Sequence, residues 1–145
     1  MSFLTCEPIS LERLVSQAAA TDLGGTCSFL GTVRRGPEDG DVTGIEYSGY
    51  EAMLEAECAR MIAEVEARWP GARVALQHRL GLVATGEASV GIVVAAAHRA
   101  AAFEACRYLI EAVKARAPIW KRELRADGTT TWVDPSGHTV SAGPR

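Results

Sequence analysis

The segment Ser89–Ala97 constrains the fold more than any other part of the chain, because every residue after Ser89 is apolar or glycine. A strand that is apolar on both faces has to be covered on both faces. This segment therefore predicts the central strand of a layered domain. The longest apolar run, Gly91–Ala97, is far too short to cross a bilayer, so we expect no membrane partner.

Hydrophobic periodicity and turn residues divide the rest of the chain into short elements. The predicted helices are Leu11 to about Ala20 with Ser10 as its cap, Tyr50–Trp69, and a helix from the His98-Arg99 pair to about Arg116. The predicted strands are Thr26–Arg34, Val42–Ser48, Arg73–Leu80, Ser89–Ala97, Ile119–Arg125 and Thr129–Val133. This order predicts an α+β fold with three helices and a mostly antiparallel sheet, because hairpins outnumber strand–helix–strand repeats.

The length of the chain indicates a single domain over residues 1–145. We expect the first two strands, Thr26–Arg34 and Val42–Ser48, to pair as a hairpin across the turn-rich loop Arg35–Asp41. Residues 135–145 are rich in Gly, Ser and Pro and are expected to form a flexible tail.

The charge and cysteine content limit the possible partners. The formal net charge is −3, which argues against a nucleic-acid partner. The four cysteines are scattered and form no CxxC pair, so neither a zinc site nor a redox motif is predicted. The start of the chain has no basic region followed by an apolar run, and we expect a cytoplasmic protein with reduced cysteines.

A helix end rich in cations is the clearest candidate site. The helix that carries Lys114 has to end before Pro118, since proline lacks an N–H and disfavours helical geometry in the preceding residue. The chain then becomes extended and brings Lys121 and Arg122 near the helix end. A lysine beside apolar surface and other cations can have a lowered pKa and serve as nucleophile, acid, base or electrostatic clamp. The structural alternative is that Lys114 favours a helix C-terminus and Lys121 protects an edge strand.

Three other cationic positions have both a functional and a structural interpretation. Arg34, at a strand end, could bind an anion or could be a solvated side chain beside a mobile loop. His98 and Arg99 lie at a helix start, where free N–H groups favour an anion, but they could equally be capping residues. His78 and Arg79 lie inside a strand, which favours a structural role.

Several short motifs occur in a fixed order along the chain. They are Phe29–Arg34, Ile45–Tyr47 followed by Tyr50–Met53, His78–Gly81 with Gly86-Glu87, His98-Arg99 with Ala102-Phe103, Lys114, Ala117–Glu123, Asp127-Gly128 and Trp132. In this order and spacing, from about Gly25 to Val133, the chain resembles the molybdopterin synthase catalytic (large) subunit family. The resemblance implies a hammerhead-like single domain.

The resemblance also implies a function, that of a sulfurtransferase subunit. The family converts cyclic pyranopterin monophosphate to molybdopterin by adding two sulfur atoms. Sulfur arrives as a thiocarboxylate on the C-terminal Gly-Gly of a small ubiquitin-like sulfur-carrier subunit. The assembly is a heterotetramer around a homodimer of large subunits. Because the sulfur donor is external, we expect no metal and no permanently bound cofactor.

The matching motifs imply roles for individual residues. The implied substrate-binding residues are Thr32, Val33, Arg34, His98, Arg99, Lys114, Lys121, Arg122 and Glu123. Lys114 and Lys121 match the catalytic lysines. We expect Lys114 to lie nearest the partner's terminal carbonyl, with Lys121 moving a proton or holding the opening phosphate. The family also expects basic residues in the C-terminal segment, where this chain has only His138 before Arg145.

One alternative is not an enzyme. The segment Tyr47–Arg125 also reads as strand, helix, two strands, helix and strand, the ferredoxin-like order found in many sensor and scaffold domains. In an anion-binding sensor, removing Lys114 weakens binding in step with any activity. In a catalyst, turnover falls while affinity is largely kept.

Overall fold

The computed structural model of the protein describes residues 2–144. Within them the chain forms β1 (Leu4–Thr5), α1 (Leu11–Ala18), β2 (Gly25–Thr32), β3 (Val42–Ser48), α2 (Glu51–Arg68), β4 (Arg73–Arg79), β5 (Gly81–Ala84), β6 (Ala88–Ala96), α3 (Arg99–Arg116), β7 (Trp120–Arg125), β8 (Thr130–Val133) and β9 (Thr139–Val140). The predicted α+β fold with three helices and mostly antiparallel strands is confirmed. Among the described residues, no helix has the length and apolar character needed to cross a membrane.

The first sheet has the strand order β1-β4-β6-β2, and only β1 and β4 pair in parallel. The buried side chains of β6 alternate between two cores. Val90 and Ile92 face the core shared with α2 and α3, whereas Val93 faces the core formed with α1. Neighbouring side chains of a strand point to opposite faces, so helices on both sides of this sheet explain why β6 is apolar throughout. The predicted central strand is confirmed.

The second sheet has the order β5-β3-β7-β8-β9 and is antiparallel throughout. The predicted hairpin between the first two long strands is wrong, because β2 pairs with β6 while β3 pairs with β5 and β7. After β2, the Val33 N–H donates to the Glu87 carbonyl, and the chain then crosses from one sheet to the other. The loop of residues 35–41 therefore joins two sheets.

The connection between α3 and β7 is short and closely packed. The Ala117 N–H donates to the Val113 carbonyl at 3.0 Å, which closes the last helical turn directly before Pro118. Gly49 lies against this connection, since a Cβ atom at Gly49 would be 2.8 Å from the Pro118 carbonyl oxygen. The predicted end of the helix is confirmed, and the start of β7 is held in place by its neighbours.

Part of the segment expected to be a flexible tail, residues 135–145, is paired with the second sheet. Thr139 and Val140 form β9, opposite Val133 and Trp132 of β8. Arg145 lies outside the described residues.

Candidate functional site

A cavity of about 210 Å³ opens where the end of β2, the end of α3 and the strands β3 and β7 meet. Its lining residues are Gly31, Thr32, Val33, Arg34, Asp39, Val42, Ile45, Tyr47, Ser89, Lys114, Lys121 and Glu123. Six of these are predicted site residues: Thr32, Val33, Arg34, Lys114, Lys121 and Glu123. The fold therefore brings together residues from three distant parts of the sequence.

The two lysines reach this cavity from consecutive elements. Lys114 lies in the last turn of α3, and Lys121 lies in β7, opposite Tyr47 of β3. Glu123 is two residues further along β7 and lies on the same face as Lys121, because side chains alternate along a strand. Because the helix ends before Pro118, two lysines that are seven residues apart in sequence line the same cavity.

Arg122 is not brought into the cavity with the other residues of its strand. It points to the opposite face of β7, where its guanidinium lies 5.8 Å from the centre of the Trp132 ring. Its Nε atom is buried and has no hydrogen-bond partner within residues 2–144. Arg122 therefore contacts a tryptophan and does not lie beside the lysines.

The electrostatic environment of Lys114 favours loss of its proton. Although part of the side chain is open to solvent, burial of the ammonium group lowers the pKa of Lys114, and the positive charge of Lys121 lowers it further. Both effects disfavour the charged form. This is the environment expected for a lysine that exchanges a proton or stabilises a developing negative charge.

The C-terminal end of α3 is anchored to α2 two residues beyond Lys114. The Arg116 guanidinium donates to Glu64 at 2.7 and 2.8 Å and to Glu57 at 2.8 Å. Hydrogen bonds from Arg116 and then from the Tyr108 hydroxyl lower the pKa of Glu64 to about 2. These contacts hold the helix end that presents Lys114.

A second, smaller cavity of about 100 Å³ lies against the same two lysines. It is lined by His78, Val113, Lys114, Ala117, Ile119, Lys121, Asp134, Pro135, Ser136 and Gly137. The last four form a turn in which the Asp134 carboxylate accepts from the backbone N–H groups of Ser136 and His138, each at 3.0 Å. The start of the C-terminal segment therefore lies beside the lysines, although it brings no basic side chain to them.

Arg34 reaches the cavity but is already paired with carboxylates. Its guanidinium lies 2.9 Å from Glu38 and 3.2 Å from Asp39, and Asp39 also accepts from the Gly36 N–H at 2.7 Å. The side chain of Arg34 is 70% exposed, so these pairs can exchange for another anion at little cost. The loop of residues 35–41 thus supplies competing anions for this arginine.

His98 and Arg99 lie at the opposite end of α3 from Lys114. They are exposed at the helix start, where the Arg99 backbone packs against Gly25. Fifteen residues of helix separate Arg99 from Lys114, about 22 Å at ~1.5 Å per residue. A single chain therefore does not bring His98 and Arg99 to the lysines.

Sequence reasoning did not assign Tyr47, Ser89 and Asp39 to the site. Burial raises the pKa of Tyr47, a hydrogen bond with Ser89 lowers it, and the charge of Glu123 raises it. The one available signal was that Tyr47 interrupts the apolar face of its strand with a hydroxyl.

Within residues 2–144, no cluster of three His, Cys, Asp or Glu side chains is arranged to hold a metal ion.

Comparison with known proteins identifies the family of the chain. The family model described as MoaE protein matches residues 4–116. The chain belongs to the MoaE protein family. It is 39% identical over 138 residues to the molybdopterin synthase catalytic subunit of Bacillus subtilis (strain 168), covering 95% of this chain and 87% of that one.

Solved structures agree with this family. The crystal structure of molybdopterin synthase from Staphylococcus aureus superposes with a TM-score of 0.85 at 31% identity, over 90% of this chain and 95% of that one. A protein–protein complex of subunits 1 and 2 of molybdopterin-converting factor from Helicobacter pylori 26695 gives a TM-score of 0.72 at 26% identity, over 86% and 84% of the two chains. The predicted family is confirmed, and with it the expectation of an enzyme subunit. The alternative of a ferredoxin-like sensor or scaffold is not favoured.

Proposed function

We propose that this MoaE family protein is the catalytic subunit of a cytoplasmic molybdopterin synthase. In this role it transfers sulfur to cyclic pyranopterin monophosphate from a thiocarboxylated small partner subunit. The observation that carries the proposal is the pocket in which Lys114 and Lys121 meet the Thr32–Arg34 segment and Glu123. No permanently bound cofactor is required, because the partner supplies the sulfur.

The pocket has the charges needed to hold a cyclic phosphate. Arg34, Lys114 and Lys121 offer charge-assisted hydrogen bonds to phosphate oxygens, and Arg34 can do so with two N–H groups at once. Substrate binding requires Arg34 to exchange Glu38 and Asp39 for the phosphate. In this proposal Glu123, which also accepts from Arg125 at 3.2 Å, accepts hydrogen bonds from the pterin N–H groups.

The size of the pocket favours a site shared between two subunits. At about 210 Å³ the cavity is smaller than the ~300–1,000 Å³ typical of small-molecule sites. The predicted site residues His98 and Arg99 lie too far from Lys114 to help within one chain. In a homodimer, His98 and Arg99 of one protomer can complete the pocket of the other.

The reaction that fits these residues is sulfur transfer followed by hydrolysis. The thiocarboxylate sulfur attacks a substrate carbon that carries an oxygen of the cyclic phosphate. The C–S bond forms as that C–O bond breaks, the electron pair leaves on the phosphate, and substrate and partner are linked as a thioester. Water then adds to the thioester carbonyl, and the tetrahedral oxyanion collapses with cleavage of the acyl C–S bond. The sulfur stays on the substrate and the partner leaves as a carboxylate. In this proposal Lys114 stabilises that oxyanion, and Lys121 moves a proton or holds the opening phosphate.

Reconstitution tests the proposal. The chain is mixed with cyclic pyranopterin monophosphate and a small subunit that ends in a Gly-Gly thiocarboxylate, and molybdopterin is measured. The matched control is the same small subunit with an ordinary C-terminal carboxylate. The proposal predicts product only with the thiocarboxylate. A folded chain that binds the partner and yields no product would contradict it.

A further inference from the structure

His78 is buried beside the lysine pair, and the proposed reaction gives it no role. Its side chain is only 6% exposed, at the end of β4. The ring nitrogen Nδ1 lies 2.8 Å from the Arg79 carbonyl oxygen. A carbonyl can only accept a hydrogen bond, so Nδ1 carries the proton and donates. The other nitrogen, Nε2, is then left as an acceptor with a free lone pair.

The free nitrogen belongs to a ring that lines the smaller cavity together with both lysines. Within residues 2–144, the one hydrogen bond of the ring is that of Nδ1, and the roughly 100 Å³ of space beside the ring can hold water or an ammonium group. The His78 ring also packs against the Tyr47 ring in a T-shaped contact, with the ring centres 5.2 Å apart. Asp134 lines the same cavity from the C-terminal segment.

The surroundings keep this imidazole neutral. Burial lowers the pKa of His78 to about 4; the Arg79 carbonyl raises it, and the charges of Lys114 and, more weakly, Lys121 lower it. Near neutral pH the ring therefore adds no third positive charge to the cluster. It offers an acceptor where two ammonium groups repel each other.

We propose that His78 is a positioning residue of this site: when the partner and substrate are bound, the Lys114 ammonium turns into the smaller cavity, and His78 Nε2 accepts its hydrogen bond and holds it in its reacting position. Both lysines line the same small cavity as the ring, and of the two the charge of Lys114 acts on His78 first. This inference rests on the proposed function and deepens it.

Two substitutions separate this role from a structural one. His78→Asn keeps an amide N–H near the position of Nδ1 and places nothing at Nε2. His78→Gln places an acceptor oxygen near Nε2 and loses the donor to Arg79. The proposal predicts that kcat falls about tenfold in the Asn variant with KM little changed, and stays within about threefold of wild type in the Gln variant. If His78 only supports the backbone, the order reverses, and an Asn variant at least as active as Gln would overturn the proposal.

A measurement on the ring itself does not depend on activity or on either variant folding. The ¹⁵N resonances of His78 are recorded for the chain alone and with its small partner bound, for wild type and for Lys114→Ala. The proposal predicts an unprotonated Nε2 whose resonance moves in Lys114→Ala and moves less in Lys121→Ala. A protonated Nε2, or one that ignores Lys114 in both states, would contradict it. If the wild-type protein forms no molybdopterin in the reconstitution assay, that result counts against the proposed function. The spectrum still decides the role of His78.

Discussion

Arg34 faces the pocket but is paired with two carboxylates of its own loop. Single residues therefore determine how much positive charge the pocket can offer to a substrate. Asp39 is the more enclosed partner, with a side chain 22% exposed against 61% for Glu38. Asp39 also caps the loop through the Gly36 N–H. A substrate phosphate has to compete with these anions. The loop therefore sets how readily Arg34 is released.

Asp39→Asn is expected to strengthen substrate binding. The amide can still accept from the Gly36 N–H, but it no longer offers a full negative charge to Arg34. We expect KM for the cyclic phosphate substrate to fall about two- to fivefold, within the range of an exposed ion pair. The change should shrink as salt is added. Glu38→Gln is the matched control and should have the smaller effect. An unchanged KM in both variants would show that these pairs do not compete with substrate.

His78 should also make stability depend on pH. Its pKa of about 4 lies below the ~6.5 of an unfolded histidine, so between these values the unfolded chain binds a proton that the folded chain excludes. Stability from this group is complete above pH ~6.5 and is lost as pH falls toward 4. At 1.36 kcal/mol per pKa unit, the loss is roughly 3 kcal/mol. Urea unfolding at several pH values should show a shallower acid loss in His78→Gln than in wild type. Parallel curves for the two proteins would contradict this account.

At the scale of elements, the break between α3 and β7 decides where Lys121 lies. Pro118 explains why the helix ends here. The position of the connection in space depends on its packing against the start of α2. Gly49 is the contact, because any side chain there would meet the Pro118 carbonyl at 2.8 Å and the Leu54 side chain at 2.9 Å. The path from Lys114 to Lys121 therefore depends on a glycine far away in sequence.

Gly49→Ala is expected to move this connection and weaken the enzyme. Overpacking of a closed contact typically costs about 1–3 kcal/mol, and the displaced backbone leads directly to Lys121. We expect a lower free energy of unfolding and a lower kcat. Ser48→Ala is the neighbouring control: within residues 2–144 its buried hydroxyl has no partner, so its removal should be neutral or stabilising. Full activity and stability in Gly49→Ala would show that the connection can relax.

Elements with a strong local signal could be predicted from the sequence. The apolar β6, the α3 helix ending before Pro118 and the Asp127-Gly128 turn between β7 and β8 all carry such a signal. Strands of two to four residues, such as β1, β5 and β9, are too short to show periodicity. Strand partners depend on tertiary packing, which is why the pairing of β2 with β3 was wrong.

In the candidate site, too, only the features with a local sequence signal could be predicted. Lys114 and Lys121 could be predicted to lie near each other because one proline ends the helix between them. Strand alternation could have separated Arg122 from Lys121, and the rise of a helix could have separated Arg99 from Lys114. The contribution of the turn at Asp134–Gly137 could not be foreseen, because it depends on how the second sheet folds back on the lysines.

At the scale of the whole molecule, the predicted cationic site residues of α3 and its cap lie at the two ends of the helix. Lys114 faces a small pocket, while His98 and Arg99 are exposed at the other end of the helix. Two copies related by a two-fold axis exchange equivalent surfaces, so each can complete the pocket of the other. Under the function proposed above, catalysis is then a property of the dimer.

Mixed dimers test this arrangement. Lys114→Ala and the double variant His98→Ala with Arg99→Ala should each be nearly inactive alone. Dimers that contain one of each would hold one intact site, so refolding an equal mixture should restore about a quarter of wild-type activity. If all these residues act within one chain, no mixture recovers activity. Both variants need the wild-type mass in solution for this comparison to count.

The most direct test of the central claim, that the lysine pocket is catalytic, is single-turnover sulfur transfer by Lys114→Ala with substrate affinity measured in parallel. The account predicts that affinity for cyclic pyranopterin monophosphate changes less than about tenfold, while the transfer rate falls by at least ~100-fold, the scale of losing one oxyanion-stabilising group. Arg107→Ala, which removes an exposed cation from the middle of the same helix, is the control and should change neither quantity. A loss of rate that only follows the loss of affinity would contradict the account and leave Lys114 as a binding residue.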